Sequence, residues 1–166
     1  MPKLSAGILL FKMTADNIRV LIAHPGGPFW AKKDLGAWSV PKGEYADGDD
    51  PHEAALREFL EELGSPAPAG RSIDLGEIKQ SSGKRIRVWA VEGDLDPSSI
   101  VSNTFEIEWP PRSGKRAEFP EIDRAAWETV ANARLKLVKG QVAFLDRLME
   151  SLRSTGESNL STTSSE

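Results

Sequence analysis

Glu58, Glu61 and Glu62 lie close together in a stretch whose pattern is helical. On a helix Glu58 meets Glu61 and Glu62 at the i+3 and i+4 spacings. Like charges so placed destabilise by roughly 0.2–0.5 kcal/mol per pair. Arg57, beside Glu61, offsets part of this repulsion but cannot neutralise three carboxylates. Two readings follow. Either the glutamates form a solvated face that tolerates mild repulsion, or they hold a hard divalent cation. Mg²⁺ takes one or two carboxylates together with waters and substrate phosphates. Such an ion turns repulsion into coordination, activates water and neutralises phosphoryl charge.

The helix that must carry these groups is well marked. Asp50 suits an N-cap, Pro51 the first helical position, and Glu53 the third position of a capping box. Gly64 is a C-terminal stop, reinforced by Pro66 and Pro68. The periodicity predicts an apolar face of Leu56, Phe59, Leu60 and Leu63, with Glu58, Glu61 and Glu62 opposite.

Around this helix, Leu4 to Phe11 and Ile18 to His24 read as strands joined by a turn at Ala15-Asp16-Asn17. A Gly/Pro-rich loop follows, then a short extended piece at Trp38-Ser39-Val40 and a turn signal at Pro41-Lys42-Gly43-Glu44. Ile73 to Gln80, Arg85 to Val91, Thr104 to Trp109 and Ile122 to Val130 read as further strands. A C-terminal helix is expected over Lys139 to Leu152, on the apolar stripe Val142, Leu145, Leu148 and Met149. The pattern predicts one domain over residues 1–153, an α+β or α/β sandwich with a sheet between helices. A Ser/Thr-rich tail, expected to be mobile, covers 154–166.

Composition narrows the chemistry. The 166 residues, 39% of them hydrophobic, include five Trp, as a packed globule requires. There is no Cys, so thiolate zinc sites, disulfides and cysteine nucleophiles are excluded. Met1 to Phe11 lacks the apolar run of a secretory signal, and no segment is long and apolar enough to span a bilayer. The expectation is a cytoplasmic protein without a membrane partner. The net charge of −4 argues against a dedicated nucleic-acid binder. Basic residues nevertheless gather at Lys84, Arg85 and Arg87 and at Arg112, Lys115 and Arg116, while acidic ones crowd between Glu44 and Glu62. That juxtaposition suits a small anionic ligand held with a divalent cation, or else is ordinary mixed surface charge.

The segment from Gly43 to Ser65 resembles the Nudix box, G-x5-E-x7-R-E-U-x-E-E-x-G-U with U a bulky apolar residue. Gly43, Arg57, Glu58, Phe59, Glu61, Glu62 and Gly64 match in type and spacing. Two positions depart from it: Asp49 stands for the first Glu, and Ser65 for the last apolar residue. Trp38 to Glu44 and, more loosely, Gly26 to Trp30 and Phe119 to Asp123 resemble the flanking segments of bacterial Nudix proteins. The resemblance implies a mixed β-sheet between helices.

It also implies roles. Glu58, Glu61 and Glu62 would coordinate Mg²⁺, with Mn²⁺ as a substitute, and Glu58 could instead be the general base. Arg57 would orient a neighbouring carboxylate. The loop at Lys42 and Gly43 would offer a backbone carbonyl to the metal. Many Nudix enzymes recruit a further Glu from a distant loop; Glu118 and Glu121 are the candidates. Lys42 abuts the box, and Arg85, Arg87 and Lys115, more loosely with Lys32, Lys33, Arg112 and Arg116, could hold phosphates. Trp30, like Phe29 and Trp109, could stack on a base, whereas Trp38, Trp89 and Trp127 read as core. His24 and His52 read as structural.

The implied reaction is hydrolysis of a diphosphate bond in a nucleoside diphosphate linked to another group, a nucleoside triphosphate or dinucleoside polyphosphate first. The alternatives are a nucleotide-binding sensor without catalysis and removal of pyrophosphate from RNA 5′ ends. Specificity is expected in the loops Pro25 to Gly36, Gly93 to Asn103 and Pro110 to Glu118. A monomer and a homodimer are equally compatible with the sequence.

Overall fold

The computed structural model describes residues 3–15 and 17–163, with side chains described as far as Thr155. Its centre is β1 (Leu4–Met13). Alternate side chains of this strand enter two separate cores. Ala6, Ile8 and Leu10 face one, Leu9 and Phe11 the other. A strand covered on both faces reads as a continuous apolar run, as LSAGILLF does.

β1 pairs parallel with β5 (Arg85–Glu92), and β4 (Ser72–Lys79) extends the sheet outward from β5. On its other edge β1 changes partner. Leu4 to Gly7 pair with β3 (Lys42–Tyr45), whereas Phe11 to Met13 pair with β2 (Ile18–Pro25). β8 (Ile122–Thr129) lies beyond β2. The segment Trp38 to Pro41 fills the fork between β2 and β3. Ile8 N–H donates to the Pro41 carbonyl at 3.1 Å, and Ala23 and Ser39 exchange two backbone bonds of 2.8 and 2.9 Å.

Helix α1 (Pro51–Leu63) covers one face, with Ala54, Ala55, Phe59 and Leu63 against Ala6, Ile8, Leu21, Trp89 and Ile122. Helices α2 (Val130–Lys136) and α3 (Val142–Thr163) cover the other through Ala133, Phe144, Leu145 and Leu148. This is the expected sandwich with a mixed sheet between helices. A second, two-stranded sheet is the hairpin of β6 (Thr104–Glu108) and β7 (Arg116–Pro120). Among the described residues no helix is long and apolar enough to cross a membrane.

Several local expectations need correction. Pro41-Lys42-Gly43-Glu44 leads into a strand rather than a turn; Pro and Gly suggest a turn locally, but pairing with distant β1 decides the conformation. The Pro110 to Glu118 loop is partly β7. The strand from Ile122 ends at Thr129, whose hydroxyl caps α2 by accepting the Asn132 N–H. α3 runs from Val142 past Leu152 to Thr163 rather than over Lys139 to Leu152. Thr155 is tied there by Arg71, at 2.8 Å, and donates to the Ser151 carbonyl at 3.0 Å. Residues 164–166, and Asp16 of the first turn, lie outside the described residues.

The largest correction concerns α1. Its buried residues are Ala54, Ala55, Phe59, Glu62 and Leu63, while Leu56 and Leu60 are 37% and 47% exposed. The helix is rotated from the orientation its leucines suggest. Two alanines let its backbone approach the sheet, and Phe59 and Leu63 keep their places in the core. The rotation turns Glu62 inward, toward the start of β3.

Candidate active site

Asp50, Pro51 and Gly64 act at the helix ends as the sequence indicates, while the cap bond goes to His52 and not to the expected Glu53. Asp50 accepts the His52 N–H at 2.9 Å, Pro51 opens the helix, and Gly64 at φ 80° caps the C-terminus by donating to the Leu60 carbonyl. Between these ends Glu58, Glu61 and Glu62 stand at the junction of α1 and β3. Lys42 N–H donates to Glu62 Oε2 at 3.1 Å. Gly43 lies against Glu58: a Cβ on this residue would overlap the Glu58 carboxylate. Arg57 Nη2 is 3.6 Å from Glu58 Oε1, so its partner is Glu58 rather than Glu61.

A fourth carboxylate comes from a distant part of the chain. Glu121, just before β8, is placed by two backbone bonds. Its N–H donates to the Asn103 carbonyl at 2.8 Å, and its carbonyl accepts the Gly26 N–H at 2.9 Å. Asn103 N–H in turn donates to the Glu61 carbonyl at 2.9 Å, which ties this crossing to α1. Of the two candidates flanking Phe119-Pro120, Glu121 therefore joins the group. Glu118 does not; it is exposed on β7, where its carboxylate is bonded to Thr104.

The electrostatics are those of carboxyls that are buried first and crowded second. Burial raises the Glu62 pKa to about 8; Lys42 opposes this through its charge and its N–H, and Glu121 and Glu58 add to it. Glu58 is raised by burial and by Glu61 and Glu121, against Arg57. Glu121 is raised by burial and then by Glu61. Three neighbouring carboxyls all held up by burial and by one another mark a functional-site candidate, where a bound cation would favour their ionised forms.

Among the described residues no group of three or more His, Asp or Glu side chains is disposed, as it stands, to hold a metal ion. The donor set still fits Mg²⁺, which needs only one or two carboxylates with waters and phosphates completing its shell. Asp49 is not part of the group. Its Oδ2 accepts the Ala46 N–H at 3.3 Å and closes the turn between β3 and α1, so the departure at this position removes no carboxylate from the site.

Beside Lys42 opens a cleft of about 390 Å³. Trp30, Lys42, Lys84, Arg85, Gln80 and Gln141 are among its lining residues. Three of the expected ligand contacts, Lys42, Trp30 and Arg85, are thus brought together. The other two are not. Arg87 is held on β5 by Asp74 at 2.7 Å and lies over Trp89, and Lys115 is exposed on the β6–β7 hairpin. Gln141 was not visible as a site residue. It is fully buried, accepts the Val40 N–H at 2.8 Å and donates to Ser39 Oγ at 3.0 Å, so it pins the segment leading into β3. Phe29 meets Trp109 edge to face at 5.5 Å on the hairpin side of the loop. Trp38 and Trp89 are core residues; Trp127 is half-buried and packs against the α1 core.

Comparison with known proteins gives a consistent picture. The family model described as NUDIX domain matches residues 1–148. An RNA pyrophosphohydrolase of Rhizobium meliloti (strain 1021) is 29% identical, over 70% of this chain and 81% of that protein. The C. elegans Ap4A hydrolase binary complex has a TM-score of 0.61 at 17% identity, covering 90% of this chain and 98% of that one. The NUDIX domain of Shewanella oneidensis NrtR, complexed with ADP ribose, has a TM-score of 0.62 at 15% identity, covering 92% and 89%.

Proposed function

Because the chain belongs to the Nudix family of hydrolases, we propose that it hydrolyses, with Mg²⁺, a diphosphate bond in a nucleoside diphosphate linked to another group. The observation that carries this reading is the arrival of Glu121 beside the three glutamates of α1, which Lys42, a lining residue of the neighbouring cleft with Arg85, touches through its N–H. Glu58, Glu61, Glu62 and the Gly43 carbonyl would hold the ion, and Mn²⁺ could replace it. When bound, the metal supplies charge neutralisation of the diphosphate and a water of lowered pKa.

The remaining work falls to the chain itself. Glu121, raised by burial and by Glu61, is the group suited to take the proton of the attacking water, and Glu58, also raised, would take it only in place of holding the ion. Arg57 keeps Glu58 in place. Lys42 and Arg85, with Lys84, bind phosphate oxygens, and Trp30 offers a ring to a base. The cleft volume falls within the ordinary range for small-ligand pockets. A nucleoside triphosphate or a dinucleoside polyphosphate is the first substrate class. The RNA pyrophosphohydrolase relative favours one second reading, removal of pyrophosphate from an RNA 5′ end.

The metal is tested by titrating Mn²⁺ into the full chain and following its electron paramagnetic resonance. Saturable binding is expected, weakened by about tenfold or more in Glu62→Gln. Equal binding by both proteins would remove Glu62 from the ligand set.

A further inference from the structure

His24 closes β2 with its side chain fully buried. Its Nε2 lies 2.6 Å from the Lys33 carbonyl oxygen, and its Nδ1 lies 2.9 Å from Asp123 Oδ1. Each ring nitrogen thus faces an oxygen, a backbone carbonyl on one side and a carboxylate on the other. The Trp38 indole meets it edge-on at 5.1 Å, which fixes the ring plane.

The two partners belong to two segments that reach the site elsewhere along their length. Lys33 ends the turn-rich loop that carries Phe29 and Trp30, and Asp123 follows Glu121 by two positions. The β2–β8 ladder shifts register between His24 and Pro25, so regular pairing falters where the imidazole takes over. Inside the loop the backbone bonds are local: Trp30 N–H to the Gly27 carbonyl at 3.4 Å and Lys33 N–H to the Trp30 carbonyl at 3.0 Å. They shape the loop, whose start is tied to the crossing before β8 by the Gly26 N–H to the Glu121 carbonyl at 2.9 Å. His24 supplies the attachment at the far end, through the Lys33 carbonyl.

We propose that His24 is a positioning residue, a clasp that holds the Pro25 to Lys33 loop, and with it Trp30, against the end of β2, with Asp123 orienting the ring. The inference rests on reading the cleft as the substrate pocket. A loop ordered in advance does not lose that freedom again on binding, so the clasp acts on affinity. Glu121 has its own backbone bonds to Asn103 and Gly26, so loosening the Lys33 end leaves the carboxylate group in place.

Removing the imidazole altogether would leave a cavity at a fully buried position and risk the fold, so two amide variants separate its bonds. In His24→Gln the side-chain amide reaches the Nε2 position and keeps the Lys33 bond. In His24→Asn it reaches only the Nδ1 position and keeps the Asp123 bond. Amide hydrogen exchange of residues 27–33 is read by mass spectrometry in the full chain, and kcat and KM are measured with Mg²⁺ and diadenosine tetraphosphate. In His24→Asn, loop exchange and KM should both rise about tenfold, with kcat changed by less than about threefold. His24→Gln should stay within about twofold of the unmodified protein in both. Unchanged loop exchange in His24→Asn, or a fall in kcat at constant KM, would overturn the clasp. If the unmodified protein leaves diadenosine tetraphosphate intact, the pocket reading loses its support for that substrate class, and the exchange comparison alone decides the clasp.

Discussion

Glu62→Gln is expected to lower turnover by about a hundredfold to a thousandfold without lowering the melting temperature at neutral pH. The two halves of this result have one cause. Glu62 is 9% exposed, and burial raises its pKa to about 8 against the opposing charge and N–H of Lys42. Folding therefore favours its neutral form. Glutamine has nearly the same shape, and its carbonyl can still accept the Lys42 N–H. It cannot become an anion for a cation to bind, so activity is lost while packing is kept.

The pH dependence of the metal-free protein carries the same signature. A carboxyl whose folded pKa exceeds its unfolded value contributes stability that is fully present below the unfolded pKa of about 4.5 and is lost as pH rises through about 8. Over that window Glu62 alone would remove on the order of 5 kcal/mol at most. The unmodified protein should melt progressively lower as pH rises from about 4.5 to about 8 in chelator, and Glu62→Gln should show a flatter profile. Thermal melts at several pH values, with and without Mg²⁺, check this. Parallel profiles would mean that Glu62 is ionised in the metal-free fold.

Gly43→Ala should reduce turnover by about a hundredfold, although the residue bears no reactive group. Gly43 pairs with Ala6 in an ordinary antiparallel ladder, and alanine can adopt that backbone. The difficulty is purely steric, because the added methyl would occupy the space of the Glu58 carboxylate. Glu58 must then swing away from β3. A displacement near 1 Å of a reacting group costs about two orders of magnitude in rate, whereas mild crowding at this half-exposed junction costs only about 1 kcal/mol of stability. kcat and a thermal melt on the same preparation separate the two effects. A large stability loss with kcat intact would show that Gly43 serves the sheet and not the carboxylate.

Much of this site could be read from the chain because it is built from local rules. Asp50, Pro51 and Gly64 bound α1, and the Arg57-Glu58…Glu61-Glu62 spacing announces its chemistry. The orientation of the helix could not be read, because Leu56, Phe59, Leu60 and Leu63 form as good an apolar stripe as the face actually buried. Only contact with β1 and β3, elements distant in sequence, decides between them. The same holds for Lys42 to Tyr45, where local turn signals yield to pairing with β1. Glu118 and Glu121 are indistinguishable as letters; the hairpin register puts the first opposite Glu106 and leaves the second beyond the ladder, at the carboxylate group. His24 looked like an ordinary core histidine because its carboxylate partner is 99 residues away.

The central claim is metal-dependent hydrolysis of a diphosphate bond, and mass-resolved product analysis in ¹⁸O-labelled water tests it most directly. The full chain would be incubated with nucleoside triphosphates, dinucleoside polyphosphates, nucleotide sugars and 5′-triphosphorylated RNA, with Mg²⁺ or with chelator. The account predicts cleavage within a diphosphate linkage, dependent on the cation, with one ¹⁸O on the phosphorus attacked and no cleavage by Glu62→Gln. Absence of cleavage in every Mg²⁺ sample, with nucleotide binding in the cleft still measurable, would contradict hydrolysis and leave a nucleotide-binding sensor as the reading of this site.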